Sequence, residues 1–392
     1  MASHPASSDF GLYIHWPFCL SKCPYCDFNS HVVNEIDEAA WQTAMLAELD
    51  IMTELAKSHD IKTDKLRSIF FGGGTPSLMP AAIMENLIAH AQDIFGFASD
   101  IEITAEANPT SVETAKMHDF KAAGINRVSL GIQALNDTDL RFLGRGHSAD
   151  EAISALELAN SLFDRVSIDL IYGRAGQSLA EWQTELQTAL SFELDHLSLY
   201  QLTIEQGTQF YSRARKGEIL TCDDDDMAAL YEVTGQMAEQ AGLNHYEISN
   251  YAKTGSESRH NLIYWRGGNW LGIGPGATGR LTTKTGRLET ICRKSPAGWL
   301  ADMREKNNAI AVQHYDDNAA FLDEIIMMGL RLSEGVPLAR LQQNGLAESW
   351  PFDAHKVADL TKAGWLVADH EIIKTTKEGK LRLNYILQEL LT

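Results

Sequence analysis

The sequence predicts an α/β fold, in which six β/α units form an open, partial (β/α)6 barrel and a small helical, winged-helix-like domain follows. Short apolar segments alternate with longer segments of helical periodicity over the first two-thirds of the chain, which is typical of a parallel sheet with right-handed crossovers. Six units are fewer than the eight of a closed barrel. Polar residues collect where the predicted strands end, so we expect a functional site at that edge of the barrel.

The predicted strands are rich in β-branched and large apolar residues and end near Gly, Pro or polar positions. They cover residues 12–16, 66–71, 101–107, 127–132, 165–172 and 196–202. Between them, apolar residues recur at three- and four-residue steps, which predicts helices over residues 35–56, 80–95, 111–123, 149–163 and 179–190. We therefore assign residues 1–243 to the barrel.

The sequence pattern changes after residue 243. Residues 244–315 are predicted to be a connecting segment rich in Gly and Trp, and residues 316–392 a C-terminal domain. In that domain, residues 318–332 and 353–363 are predicted helices and residues 365–383 a short hairpin. Helices followed by a hairpin are the basis for the winged-helix-like assignment.

The charge and hydropathy of the chain exclude several classes of partner. The formal net charge is −20 and Lys and Arg are spread thinly, so nucleic acid is not an expected partner. No apolar run reaches the roughly 18–20 residues that span a bilayer, and residues 1–10 show no secretory signal pattern. We therefore expect a cytoplasmic protein that does not span a membrane. The acidic residues 223–226 are predicted to form the solvated first turn of a helix, with a metal site as the alternative.

Three of the five cysteines, Cys19, Cys23 and Cys26, fall within eight residues. An odd, clustered set in a chain without a secretion signal indicates metal binding and not a disulfide framework. We call this segment, residues 19–26, the cysteine loop. Cys222 and Cys292 stand alone and are interpreted as small apolar residues.

The cysteine loop is flanked by Pro17 and interrupted by Pro24, which disfavour a helix. Soft thiolates select zinc or iron–sulfur clusters. Structural and electron-transfer clusters usually have four cysteines, but the next available position here is Phe28, which leaves one iron of a 4Fe–4S cluster open. The alternative is a zinc site completed by His15 or His31, although the distant second cysteine pair usual for zinc is missing.

The cysteine spacing, with Tyr25 before the last cysteine, resembles the radical S-adenosylmethionine (SAM) superfamily. This resemblance implies that SAM chelates the open iron and that Tyr25 lies by its adenine. The segment Gly72-Gly73-Gly74-Thr75-Pro76 resembles the glycine loop of the superfamily. It follows a predicted strand, and residues without a Cβ atom let backbone amides approach a ligand closely. A tight turn without a ligand is the alternative.

Four longer segments, YIHWPFCLSKCPYCDF, EITAEANP, GIQALNDTDLRFLGRGH and SIDLIYG, together resemble the oxygen-independent coproporphyrinogen III oxidase family of radical SAM proteins. The resemblance implies that Tyr13 lies beside the methionyl group of SAM. The resemblance also implies that four residues contact the amino group, the carboxylate or the ribose hydroxyls of SAM, namely Glu106, Gln133, Arg145 and Asp169. Arg pairs well with a carboxylate, and acidic residues suit ribose hydroxyls.

Two departures separate this sequence from the oxidase of that family. Phe28 stands where the oxidase has a fourth cysteine, and Cys19 lies near the start, so we expect no N-terminal arm to help close the site. The segment HNLIYW, residues 260–265, instead resembles the HNxxYW motif of haem chaperones in the family. It implies that His260 or Tyr264 binds haem, since both residue types serve as axial ligands. The alternative is a polar turn at His260, with Tyr264 packed into the core.

The resemblance therefore implies a haem chaperone that carries a 4Fe–4S cluster and exchangeable SAM, binds haem and transfers it to acceptor proteins. Acceptors would include respiratory proteins at a membrane surface, and a homodimer is an open alternative for its assembly. Whether the chain is an enzyme stays open. The rival functions are the coproporphyrinogen III oxidase, whose activity we expect to be absent, and a radical SAM methyltransferase.

Overall fold

The computed structural model describes residues 9–33, 35–61 and 65–391, so the N-terminal residues 1–8, used above to predict the cytoplasm, lie outside the described residues. The strands are β1 Phe10–Trp16, β2 Phe18–Cys19, β3 His31–Val32, β4 Leu66–Gly73, β5 Phe97–Ala107, β6 Arg127–Gln133, β7 Arg165–Tyr172, β8 His196–Gln201, β9 Asn244–His245, β10 Asn250–Ala252, β11 Asn269–Ile273, β12 Thr278–Thr283, β13 Gly286–Cys292, β14 Ile310–Asp316, β15 Val336–Pro337, β16 Leu366–Ala368 and β17 Ile372–Thr375. The helices are α1 Glu38–Ser58, α2 Ala81–Phe95, α3 Ser111–Thr114, α4 Met117–Ala122, α5 Asp137–Phe142, α6 Ala149–Leu162, α7 Leu179–Leu190, α8 Gln209–Ala214, α9 Asp224–Gln240, α10 Arg259–Trp265, α11 Pro296–Lys306, α12 Asn318–Gly329, α13 Leu338–Gln343, α14 Ala354–Lys362, α15 Lys377–Lys380 and α16 Leu383–Leu391, with a 3₁₀ turn at Pro76–Leu78.

The six predicted strands form the centre of the molecule. They are β1, β4, β5, β6, β7 and β8, and they lie side by side in that order. Every neighbouring pair among them is parallel; Tyr13 of β1 pairs with Phe70 of β4, and Asp169 of β7 pairs with Ser198 of β8. Parallel pairing places the C-terminal ends of all six strands at one edge. The polar residues that close these strands therefore share that edge.

The sheet extends beyond the six strands on both sides and does not close, which confirms a partial barrel. Strands β10 and β9 follow β8 as antiparallel neighbours, while β11 pairs parallel to β1 and continues into antiparallel β12, β13 and β14. Twelve strands make up this sheet in the described part of the chain. Strands from residues 244–315 thus join the same sheet as the barrel strands. The domain boundaries at residues 243 and 315 stay predictions.

The helices follow the predicted pattern with one interruption. Residues 111–123, predicted as a single helix, form the two short helices α3 and α4. The break follows Glu113, whose buried carboxylate accepts hydrogen bonds from Ser77 and from the backbone of Asn108. The acidic run at residues 223–226 does begin a helix, with Asp223 capping α9. None of the helices in the described ranges combines the length and the apolar character needed to cross a bilayer.

An aromatic cluster fixes the strand that leads into the cysteine loop. Trp16, at the end of β1, packs edge-on against Trp41 of α1 with ring centroids 5.5 Å apart, and Trp41 stacks on Trp299 of α11 at 4.9 Å. All three side chains are buried. Aromatic pairs of this kind contribute about 0.5–1.5 kcal/mol beyond the area that they bury. The cysteine loop is therefore anchored on a rigid base.

The C-terminal domain has a core of its own. Phe321 and Ile325 of α12, Leu360 of α14 and Ile386 of α16 lie together in this core. Strands β15, β17 and β16 form a small antiparallel sheet beside them. The predicted hairpin at residues 365–383 is shorter in the structure: it ends at β17, and α15 and α16 follow. Helices with a three-stranded sheet give the winged-helix-like arrangement that the sequence predicted.

Candidate functional site

A cavity of about 470 Å³ opens at the C-terminal ends of the barrel strands. It is lined by most of the site residues that the sequence predicted, from six separate segments. These are Cys19, Cys23, Tyr25, Cys26, Gly73, Gly74, Thr75, Glu106, Gln133, Arg145 and Asp169. We call it the first cavity.

The three thiols of the cysteine loop face this cavity and are free of disulfides. Thr75 donates a hydrogen bond to the Cys19 sulfur at 3.2 Å, and Arg145 donates one to the Cys23 sulfur at 3.3 Å. The Cys26 sulfur lies 3.9 Å from the Ser30 hydroxyl. Burial raises the pKa of the Cys19 and Cys26 thiols, so a bound metal would be needed to keep them as thiolates.

The two histidines of the zinc alternative are already engaged. His15 donates through Nε2 to the Asn29 carbonyl at 2.9 Å, and its Nδ1 lies 3.0 Å from the Tyr13 hydroxyl. His31 bonds through Nε2 to Oδ1 of Asn29 at 3.1 Å. Within residues 9–33, 35–61 and 65–391, no three His, Cys, Asp or Glu side chains converge as ligands of a single metal ion. The hydrogen bonds of His15 and His31 to Asn29 disfavour either histidine as the fourth ligand of a zinc site.

The glycine loop lies so close to the segment leading into the cysteine loop that side chains would not fit. A Cβ atom on Gly74 would lie 2.8 Å from the backbone carbon of Pro17, and Gly73 has a φ of +115°, which disfavours other residues. The Gly74 amide donates to the Trp16 carbonyl at 2.7 Å. Gly72 does not line the cavity, and a Cβ atom there would lie 2.8 Å from the Tyr13 ring. The triplet thus lets Thr75 reach Cys19.

Arg145 connects the cysteine loop to the strand ends. Its Nη1 donates to Cys23 and, at 3.4 Å, to the Tyr25 hydroxyl, while Nη2 donates to the Gly131 carbonyl at 2.8 Å and to Asn108. Its Nε atom is buried without a partner among the described residues. A guanidinium with an unused donor inside a cavity is suited to bind an anion such as a carboxylate.

Two acidic residues on neighbouring parts of the wall complement Arg145. Burial and the nearby charge of Asp169 raise the pKa of Glu106 to about 8, although the Gly73 amide, which donates to Glu106, opposes this shift. Asp169 accepts a hydrogen bond from Ser129 at 3.1 Å, and burial raises its pKa. These carboxyl groups can receive an ammonium group or hydroxyls of a ligand.

Gln133 has the clearest sign of an absent partner. It has a φ of +75°, which is unusual for a residue with a side chain. Its Oε1 atom is buried and has no hydrogen-bond partner among the described residues. Buried polar atoms are nearly always paired, so this atom and Arg145 Nε fit a ligand with polar groups. Together with the three thiols, they match the donor set that a cluster and SAM would require.

The cavity also contains residues that the sequence did not single out. Asn108 bonds to Thr75 at 3.3 Å as well as to Arg145, and His147 and Tyr200 complete the wall. Asn108 lies within the segment EITAEANP, so its position after a strand was an available signal. The sequence gave no comparable signal for Tyr200, because it is one of several large residues in β8.

The predicted haem residues lie elsewhere. His260 is only 1% exposed, and both of its ring nitrogens are engaged: Nδ1 with the Ser68 hydroxyl at 2.8 Å and Nε2 with the Tyr264 hydroxyl at 2.7 Å. Burial lowers the pKa of His260 to about 3, so the imidazole is neutral. Tyr13 packs against the His260 ring and does not line the first cavity. The structure therefore does not bring His260, Tyr264 and Tyr13 to the first cavity.

A second cavity, of about 350 Å³, lies between β8, the α10 helix and the C-terminal domain. Its wall includes Tyr264 but not His260. It is lined by Tyr200, Glu247, Ile248, Ser249, Asn250, Asn261, Tyr264, Trp265 and Arg331. Tyr200 belongs to the walls of both cavities.

Comparison with known proteins agrees with this architecture. A sequence model of the radical SAM superfamily matches residues 13–189, and a model of the HemN C-terminal domain matches residues 316–382. The structure of coproporphyrinogen III oxidase (HemN) from Escherichia coli superposes with a TM-score of 0.79 over 99% of this chain and 91% of that chain, at 22% sequence identity. This likeness shows a common fold.

Sequence relatives match over nearly their whole length. The heme chaperone HemW of Haemophilus influenzae is 38% identical over 99% of this chain and 99% of its own, and that of Escherichia coli is 37% identical over 96% and 97%. A mitochondrial protein of Bos taurus, radical S-adenosyl methionine domain-containing protein 1, is 35% identical over 99% of this chain and 88% of its own.

Proposed function

The chain belongs to the HemW family of radical SAM proteins, and on that premise we propose that it binds haem and passes it to acceptor proteins. The observation that carries the proposal is the full-length identity of 34–38% to heme chaperones of that name. The HNxxYW segment at residues 260–265 supports it. Acceptors would include respiratory proteins at a membrane surface.

We assign the first cavity to the cofactors of the superfamily. Cys19, Cys23 and Cys26 would hold three irons of a 4Fe–4S cluster, whose fourth iron would provide an open position for SAM. The unpartnered Gln133 Oε1 and Arg145 Nε atoms support a polar ligand there. The residues proposed to bind it are Tyr25, Gly73, Gly74, Thr75, Glu106, Gln133, Arg145 and Asp169. Tyr13 and Gly72, which the resemblance also implied, lie outside the cavity lining.

The side chains of this wall have distinct tasks in the proposal. Arg145 would pair with the carboxylate of the ligand while holding the cysteine loop through Cys23. Glu106 and Asp169 would receive its ammonium group or its ribose hydroxyls. Phe28, at the cavity mouth and 58% exposed, replaces the fourth cysteine of the oxidase with an apolar side chain.

The decisive experiment compares haem binding with oxidase activity in one preparation. The protein is purified anaerobically, its cluster is reconstituted, and haem uptake, haem transfer to an apo-haemoprotein and coproporphyrinogen III turnover are measured in parallel. We expect a Soret shift and haem transfer, and no decarboxylation with SAM and a strong reductant. Conversion of coproporphyrinogen III above trace rates, without haem transfer, would overturn the proposal in favour of the oxidase.

Cysteine variants test the cluster assignment separately. The reconstituted protein should contain about four irons per chain with the broad absorption of thiolate-bound clusters. Cys19→Ala, Cys23→Ala or Cys26→Ala should abolish the iron and the change that SAM produces in the electron paramagnetic resonance spectrum. Cys222→Ala is the matched control and should leave both intact. Stoichiometric zinc in place of iron would contradict the assignment.

A further inference from the structure

Asn108 joins two side chains that bond to different sulfur atoms of the cysteine loop. It follows β5 and lines the first cavity. Its Nδ2 atom donates to the Thr75 hydroxyl at 3.3 Å, and Thr75 donates in turn to the Cys19 sulfur at 3.2 Å. Its Oδ1 atom accepts from Nη2 of Arg145, which donates through Nη1 to the Cys23 sulfur at 3.3 Å. A single amide therefore connects the donors of two thiols.

The orientation of this amide is set by the groups on its two sides. Arg145 can only donate hydrogen bonds, so the Asn108 oxygen must face it. On the other side, the Glu113 carboxylate accepts from the Asn108 backbone amide at 2.7 Å and from Nδ2 at 3.3 Å. Glu113 is only 1% exposed and also accepts from Ser77 and Thr110. A flipped amide would lose its bonds to both Arg145 and Glu113.

The orientation of Asn108 in turn decides where the Thr75 proton points. A threonine hydroxyl has one proton and two acceptor lone pairs. Because Asn108 Nδ2 donates to this oxygen, the Thr75 proton is left for another acceptor, and the Cys19 sulfur is in reach. Thr75 is buried, so solvent offers little competition. Asn108 thus keeps Thr75 as a donor to Cys19.

Hydrogen bonds to the coordinating sulfurs are among the factors that set the reduction potential of an iron–sulfur cluster. One-electron reduction makes a cluster more negative, and a donor that points at a sulfur stabilises the added charge. The Cys26 sulfur lies 3.9 Å from the Ser30 hydroxyl, outside this network. Among the described residues, the two shortest hydrogen bonds to thiols of the cysteine loop therefore both come from side chains that Asn108 holds.

We propose that Asn108 is a positioning residue for the cluster of the first-cavity assignment, on which this inference rests. It holds Thr75 and Arg145 as donors to two of the coordinating sulfurs, and so raises the potential at which a bound cluster accepts an electron. Its effect is exerted through these two neighbours. Glu113 keeps the amide in the orientation that this role requires.

The test is a redox titration of the reconstituted protein without SAM, in which titanium(III) citrate reduces the cluster by one electron and electron paramagnetic resonance measures the reduced fraction. Asn108→Leu keeps the approximate size of the side chain and removes both amide hydrogen bonds. At a fixed potential it should lower the ratio of reduced to oxidised cluster by about tenfold, a shift of about 59 mV to more negative potential. Asn108→Ala should shift the potential in the same direction, and serves if the leucine variant does not fold. An unchanged potential would overturn the inference.

Thr75 variants test whether Asn108 acts through the Thr75 hydroxyl. Thr75→Val removes the hydroxyl and should lower the potential, whereas Thr75→Ser keeps it and should stay near the wild type. In the Thr75→Val background, Asn108→Leu should produce a smaller shift than in the wild type, because only the Arg145 bond remains to be lost. Equal shifts in the two backgrounds would contradict the proposed route.

Asn126 is the matched control. It also uses both ends of its amide, donating to the Ile101 carbonyl and accepting from the Ile103 amide, each at 2.8 Å, but it precedes β6 at the opposite end of the barrel. Asn126→Leu should lower the midpoint of thermal unfolding, as Asn108→Leu does, and leave the reduction potential unchanged. A shift of the same size in both variants would show that the potential follows general loss of stability, which would overturn the inference.

The outcomes distinguish this inference from the assignment on which it rests. If the wild type holds no iron–sulfur cluster after reconstitution, the first-cavity assignment fails. If the wild type holds the cluster and folded Asn108→Leu titrates at the wild-type potential, only the positioning role of Asn108 is wrong.

Discussion

The two ends of the barrel are both polar, but at one end the polar groups line a cavity, whereas at the other a buried carboxylate bonds to two arginines. At the C-terminal ends of the strands, Gln133 Oε1 and Arg145 Nε are buried without partners among the described residues. At the opposite end, Glu102 is 1% exposed and accepts hydrogen bonds from Arg127 at 3.3 Å, from Arg165, and from the backbone amides that begin α10.

This difference separates a binding site from a structural network. Buried polar atoms in folded proteins are almost always paired. Glu102 obeys this rule through groups from β6, β7 and α10, so no capacity remains for a ligand. The first cavity departs from it at three atoms, namely Gln133 Oε1, Arg145 Nε and His147 Nδ1. Unpaired atoms alone do not mark the functional end, since His196 Nδ1, near Arg127 and Arg165, also lacks a partner among the described residues. The functional end is marked by unpaired atoms that line a cavity together with three thiols.

The largest expected change in stability follows from removing the Glu102 charge from its network of hydrogen bonds. Glu102→Gln should destabilise the protein by about 3–5 kcal/mol, because the buried Arg127 and the half-buried Arg165 would lose this counter-charge. Urea unfolding followed by circular dichroism measures this change. Glu54→Gln, which removes an exposed carboxylate bonded to Lys57, is the control and should change stability by less than about 1 kcal/mol. Similar small effects in both variants would contradict the structural role of Glu102.

A smaller change in the free energy of unfolding is expected on replacing Glu106, and this change should stabilise the protein. Its pKa is raised to about 8, so the folded protein holds a proton that the unfolded chain releases near pH 4.5. The stabilisation that this proton gives is present below pH 4.5 and is lost as the pH rises towards 8. Glu106→Gln avoids that loss and should be more stable than the wild type at pH 8.5, by about 1–3 kcal/mol once solvent screening is allowed for.

At pH 8.5, where the Glu106 carboxylate is charged, the same variant should bind SAM more weakly by about tenfold, since it lacks the charge that would receive the ammonium group. Equilibrium titration of SAM and unfolding at pH 5.5 and pH 8.5 measure both effects. A variant that is less stable at pH 8.5 than the wild type would show that Glu106 belongs to the structural network instead.

The smallest change in stability is expected on replacing Ser68, which lies in the interior of the barrel. Ser68→Ala removes the 2.8 Å hydrogen bond to His260 Nδ1 and leaves that buried nitrogen without its partner, which should cost about 1 kcal/mol. Urea unfolding of the apoprotein measures it. An unchanged midpoint would show that the His260 ring has another partner available.

The sequence could predict those parts of the fold and site whose roles are set locally. The six strands follow from short apolar runs, and Glu106 and Asp169 could be recognised because each is a polar residue at or near the end of such a run. The cysteine loop depends only on spacing within eight residues. These features needed no knowledge of distant contacts.

Features set by distant contacts could not be predicted in this way. His260 is buried because Ser68, 192 positions earlier in the chain, faces it across the barrel. The strands β9 to β14 are partly short or rich in glycine, and they join the sheet through pairing with β1 and β8, which local patterns do not show. The second cavity similarly depends on how Arg331 of the C-terminal domain docks beside α10.

Tyr200 lines both cavities, and this shared position has a thermodynamic consequence. A ligand that shifts the Tyr200 ring in one cavity would change the shape of the other, so the affinities of the two cavities for their ligands would be linked through a single side chain. Linkage is reciprocal: whatever factor a ligand of the first cavity applied to the affinity of the second cavity, a ligand of the second would apply to the affinity of the first. Binding in the second cavity would then respond to the occupancy of the first cavity without any contact between the two ligands.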